Sequence, residues 1–128
     1  MTRQLPDKES LHSAVYNGRL FMQRLTTPTH SFVLDDNPSN WDEFRITYRQ
    51  NGRIILEKDD ITEMTVTQSG SKYTLSYQLT QEETKKFQPN RKVEVQIRAH
   101  YASGKTVASD IFVLMVDDVL NHEILGVS

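Results

Sequence analysis

Cysteine is absent from this chain of 128 residues. Its absence excludes disulfides, cysteine-bound metal and a thiol nucleophile. It also favours synthesis in a reducing cytoplasm, because small exported domains lean on disulfides. A domain of this length buries roughly two thirds of its unfolded surface, so its core can hold it without staples. Long apolar runs are missing too. The most apolar stretch, IFVLMV at 111–116, is far shorter than the ~20 residues a membrane helix needs. The opening MTRQLPDKES has no apolar segment after Arg3, so no secretory signal is expected. Neither sign of charge dominates: 15 Lys and Arg against 17 Asp and Glu leave a net charge of −2. Such a balance gives no footprint for nucleic acid or an anionic membrane, and neither is expected as a partner.

Signatures of chemistry are equally sparse. There is no G-x-S-x-G, phosphate loop or dinucleotide fingerprint, and Ser103-Gly104-Lys105 reads as a turn. The histidines, at 12, 30, 100 and 122, have no metal-ligand spacing. Asp59-Asp60 and Asp117-Asp118 are carboxylate pairs of the kind that bind calcium or hydrolyse glycosides. Both pairs sit at expected strand ends, where Asp is an ordinary turn residue. Asp35-Asp36-Asn37 resembles the start of a calcium loop, but Pro38 follows and the required Gly and Glu are missing. No catalytic, cofactor-binding or metal-ligating residue is assigned, no cofactor is expected, and the chain reads as non-enzymatic.

What is present is period-two alternation. Phe32 and Leu34 share one face of a short strand at 30–34. Phe44, Ile46 and Tyr48 alternate with Arg45, Thr47 and Arg49; Asn51-Gly52 follows and a second strand returns over 53–58. Asn-Gly is the favoured pair for a two-residue type I′ turn, since both positions need positive φ. An uninterrupted register pairs Gln50 with Arg53, Arg49 with Ile54, Tyr48 with Ile55, Thr47 with Leu56 and Arg45 with Lys58. It leaves Ile54 and Leu56 on the otherwise polar face, either covered by another element or offered to a partner. Further strands are expected at about 64–68, 72–79, 92–101 and 106–116, the last apolar on both faces over 111–116 and so buried on both sides or lying at an interface. The basic residues of the wet faces (Arg45, Arg49, Arg53, Lys58, Arg98) read as solvated.

Between two of these strands lies LTQEETKKF, 79–87. Thr80 with Glu83 makes a capping box, Glu82 and Glu83 in the first turn and Lys85 and Lys86 in the last suit the helix dipole, and Leu79 and Phe87 flank it for burial. A short helix crossing between two sheets is expected. The pattern as a whole predicts a mostly all-β fold, an antiparallel Ig-like β-sandwich at 29–128, with Ig-like meaning architecture only. Residues 1–28 read as an N-terminal helical or extended arm: a short helical pattern through Leu11 and Val15 stops at Asn17-Gly18, and Leu20, Phe21, Met22 and Leu25 form an apolar group. That arm either packs on its own domain or docks on a neighbouring subunit.

Five segments in order, TTPTHSFVL (26–34), RITYRQNGRIILEK (45–58), LSYQLTQEETKKF (75–87), VEVQIRAHYASGKTVASDIFVL (93–114) and VLNHEIL (119–125), resemble a family of small virion structural proteins from bacteriophages of Gram-positive bacteria. The resemblance implies a β-sandwich virion component made in the host cytoplasm, without catalytic residues. The expected role is head decoration or head-fibre attachment, with a tail or baseplate adaptor as the alternative. Its partners would be other virion proteins (capsid, fibre or tail subunits), and it would be a homo-oligomer in the particle. The expected contacts are Leu20, Phe21, Met22 and Leu25 of the arm, Ile54 and Leu56 of the hairpin, and Leu120, Ile124 and Leu125 of the tail. A carbohydrate- or host-surface-binding module is a further alternative; it would use exposed, coplanar aromatics such as Trp41, Tyr48 and Tyr101 as platforms.

Overall fold

A computed structural model of the chain describes residues 15–16 and 21–126. Its elements are β1 (Val15–Tyr16), β2 (Phe21–Gln23), β3 (Thr29–Leu34), β4 (Trp41–Gln50), β5 (Arg53–Lys58), β6 (Thr65–Ser69), β7 (Lys72–Gln78), α1 (Gln81–Lys85), β8 (Lys92–Tyr101), β9 (Thr106–Ala108) and β10 (Phe112–Asp117). The smaller sheet has the order β1-β3-β7-β6. The larger has the order β2-β10-β8-β4-β5, with β9 also paired to β8. The alternating apolar residues of both sheets face one another and make a single core. Phe32, Leu34, Leu75 and Tyr77 come from the smaller sheet; Ile46, Tyr48, Val93, Val95, Ile97, Leu114 and Val116 come from the larger. The molecule is therefore a mostly-β sandwich, as the alternation predicts.

Two expectations for the N-terminal region change. Val15 and Tyr16 form a strand, not the end of a helix: they pair with Val33 and Phe32 at the edge of β3. A β-branched and an aromatic residue suit that pleated edge better than a helix. Leu11 and the Asn17-Gly18 stop lie outside the described residues. Phe21–Gln23 joins the larger sheet by running parallel to β10, with Phe21 opposite Met115 and Gln23 opposite Asp117, and the Arg24 N–H extends the pairing to the Asp117 carbonyl at 2.9 Å. The sandwich is thus not wholly antiparallel, and it includes residues placed in the arm on sequence grounds. Alternation sends Met22 inward, where it is 1% exposed.

The β4–β5 hairpin has the expected turn, with φ of 54° at Asn51 and 75° at Gly52. Its register is not the uninterrupted one. Gln50 faces Arg53 and Arg49 faces Ile54, but a bulge then sets Tyr48 opposite Leu56, Thr47 opposite Glu57 and Ile46 opposite Lys58. A shift of one residue moves every following side chain to the other face. Leu56 thereby enters the core and Glu57 moves to the wet side, where Thr47 donates to it at 3.0 Å. Lys58 lands on the inner face and meets Glu83 of α1 at 2.5 Å. The bulge resolves the conflict of a leucine on a polar face.

The strand expected over 106–116 is broken between β9 and β10. Ser109 fills the gap: its backbone N–H donates to the Ile97 carbonyl at 2.8 Å, and its hydroxyl accepts from the Ile97 N–H at 3.0 Å. The core strand β8 thus keeps its hydrogen bonds across the interruption. α1 carries the chain from β7 to β8 between the sheets. Its capping box is complete, with Thr80 Oγ1 accepting from the Glu83 N–H at 3.1 Å and Glu83 Oε1 from the Thr80 N–H at 2.9 Å. Leu79 and Phe87 on either side are buried.

Candidate functional site

The residues singled out for chemistry hold turns or fill the core. Asp60 caps a 3₁₀ turn at Ile61–Glu63 by accepting from Thr62 N–H and Oγ1, which lowers its pKa. Asp118 accepts from the Val119 N–H at 2.9 Å and pairs with Arg24 at 2.9 Å and His122 at 3.1 Å. The Val119 bond leads in lowering its pKa, against a smaller opposing effect of desolvation. Buried Asp36 accepts from the Tyr101 hydroxyl, and that hydroxyl accepts from the Trp41 indole N–H at 3.2 Å. Tyr48 is buried among His30 and Tyr77. Tyr48 and Tyr101 are thus core residues and Trp41 is half-buried, so Tyr48 and Tyr101 do not form an exposed aromatic platform. Among the described residues no group of three or more His, Asp or Glu is placed to hold a metal.

The surface feature that stands out is the outer face of the larger sheet. Its central strands present polar side chains there: Lys92, Glu94, Gln96 and Arg98 of β8, and Arg45, Thr47 and Arg49 of β4. The strands to either side present apolar ones. On β10 the alternation that buries Leu114 and Val116 turns Val113 and Met115 outward, 47% and 38% exposed, with Ile111 just before them. The parallel pairing sets Phe21, 54% exposed, beside Met115. Across the sheet, Ile54 of β5 is 61% exposed. Register joins these into one surface. Met115 lies opposite Lys92, Val113 opposite Glu94, Glu94 opposite Arg49, and Arg49 opposite Ile54. Arg49 and Glu94 form an ion pair at 2.8 Å in the middle. Ile111 and Ile54 border a shallow groove floored by Thr47, Arg49, Glu94 and Gln96. The face is thus a polar, largely charged central band flanked on both sides by exposed apolar groups, and exposed apolar groups rimmed by polar ones mark protein-contact surfaces.

The expected contact residues divide. Phe21 and Ile54 lie on this face. Leu120 and Leu125 are exposed elsewhere, on the tail, whose end is held to α1 by Gln81: its amide donates to the Leu125 carbonyl at 2.8 Å and accepts from the Leu125 N–H at 2.9 Å. Ile124 is half-buried. Met22, Leu25 and Leu56 are buried within this chain and offer no surface to a partner. Leu20 lies outside the described residues. Ile111, Val113 and Met115 are not among the expected contacts, although their run reads in the sequence as buried on both sides or lying at an interface. The signal for them was the unbroken run IFVLMV: in a sheet wet on its outer face, half of such a run must be exposed.

No protein-family model and no curated protein matches the chain.

Proposed function

We propose that this chain is a non-enzymatic virion structural protein of a bacteriophage of Gram-positive bacteria, attached to neighbouring subunits by the outer face of its larger sheet. The observation that carries the contact surface is the exposed row Phe21, Met115, Val113 and Ile111 with Ile54 across the groove. The virion assignment rests on the five sequence segments that resemble that family. The strand order supports an immunoglobulin-like reading: one sheet ends in the equivalent of an A-B-E-D order and the other in G-F-C-C′. The role proposed is head decoration or head-fibre attachment, with a tail or baseplate adaptor as the alternative. Modest contacts repeated by particle symmetry reach high overall affinity through effective concentration.

The test is incorporation into particles. Val113→Glu with Met115→Glu changes two exposed side chains, so the protein should remain folded with its melting temperature shifted by only a few degrees. Purified virions are expected to carry the wild-type chain and to lack the double variant. Normal occupancy of the folded variant would overturn the assignment of this face. Absence of the wild-type chain from virions would overturn the virion assignment itself.

A further inference from the structure

The sheet edges of this molecule are protected unequally. β9 is three residues long. β5 carries Arg53, Glu57 and Lys58 and is bent by its bulge. Shortness, charge and bulges are the devices that stop an edge strand from pairing with another chain. β6 has none of them. Its sequence, Thr-Val-Thr-Gln-Ser, contains no charge and no proline, and all five residues are exposed. It pairs with β7 in unbroken register, from Thr65 opposite Ser76 to Ser69 opposite Lys72. Among the described residues it has no second strand neighbour. Every other residue of such a strand turns its N–H and C=O away from the existing partner, ready for another strand. Val66 within the strand is exposed as well.

We infer that β6 is a sheet-extension site whose occupant is β6 of a second copy of this chain, antiparallel about a two-fold axis at Thr67. In that register Thr67 faces Thr67, Val66 faces Gln68 and Thr65 faces Ser69. All five residues are paired, threonines and serines meet across the strands, and no like charges are opposed. A strand of different sequence is selected by charges or by pockets for its side chains. This uncharged edge matches its own sequence instead. The two smaller sheets become one continuous sheet. This surface is separate from the outer face of the larger sheet and does not depend on the virion assignment.

The missing cysteine makes the test clean, because Thr67→Cys introduces the chain's sole thiol. In the full-length protein under mild oxidation, Thr67→Cys is expected to form a disulfide dimer at least on the order of tenfold faster than Ser39→Cys, an exposed control away from the edge. Sedimentation equilibrium of the wild-type protein should show a monomer–dimer equilibrium. Thr67→Lys, which sets two ammonium groups against each other on the axis, should be monomeric with an unchanged melting temperature. The inference is overturned if Thr67→Cys cross-links no faster than Ser39→Cys, or if the Thr67→Lys variant dimerises like the wild type. A wild-type protein that stays monomeric and instead takes up an extended segment of another chain at β6 would overturn it equally.

Discussion

His30 shows how position converts an ordinary side chain into a titratable part of the core. Its Nδ1 lies 2.6 Å from the Tyr48 hydroxyl, which lies 2.5 Å from that of Tyr77. Burial pushes its pKa down from 6.5 to about 4. The unfolded chain therefore takes up a proton near pH 6.5 that the folded chain refuses until about pH 4. Stability is complete above that window and falls as pH drops through it, by roughly 2 kcal/mol between pH 7.5 and 5. Urea unfolding at the two values measures the loss, and His30→Phe should remove most of it. The carboxylates act lower. Burial would raise Glu83, but bonds from Lys58 and Thr80 and the charge of Lys58 outweigh it, and the net shift is downward from 4.5. Its contribution is present above that value and is lost as pH falls below it. His30 has the parity of Phe32 and Leu34 on its strand, so its inward direction was legible in the sequence. The two tyrosines that receive it came from strands distant in the chain and were not.

At the scale of the element, α1 and the β4–β5 hairpin make opposite cases. α1 follows from local rules, and its consequence is measurable. Thr80→Ala removes a cap and should cost about 1 kcal/mol in chemical denaturation. Glu83→Ala should cost more, about 2 kcal/mol, because it also strips Lys58, a side chain only 14% exposed, of its carboxylate. Equal losses in the two variants would show that the Lys58 contact contributes nothing. The hairpin's turn was equally legible, since Asn51-Gly52 fits few other conformations. The bulge beside it was not. Nothing local in RIILEK marks which residue is unpaired. The choice is made by the core, which gains Leu56 and a partner for Lys58 when the register slips by one.

At the scale of the whole molecule, the region from Phe21 onward is a structural part of the sandwich. Met22 is in the core, and Arg24 pairs with Asp118 while donating to the Lys85 carbonyl at 3.1 Å, at the end of α1. Thr26 and Thr84 are joined in the same place: the Thr84 hydroxyl accepts from the Thr26 N–H at 3.3 Å and donates to the Thr26 carbonyl at 3.0 Å. Met22→Ala should therefore cost about 2–4 kcal/mol, read as a fall in the unfolding midpoint. Deleting residues 1–25 should cost at least as much. Loss of the proposed particle binding after that deletion would report lost folding, whereas substitutions at exposed Val113 and Met115 isolate the proposed contact face.

The sequence by itself determined the strands β3 to β8, the two-residue turn, the capped crossover helix and the inner faces of β3, β4, β7 and β8. These depend on residues within a few positions of one another, where sterics, capping and alternation decide. Only the tertiary structure decided that β2 runs parallel to β10, that a bulge turns Leu56 inward, that Ser109 bridges a broken strand, and that Val113 and Met115 line an open face. Those outcomes depend on which distant strand supplies a neighbour. A residue's own spacing fixes which side of its strand it occupies, but what lies on that side is set by the rest of the chain.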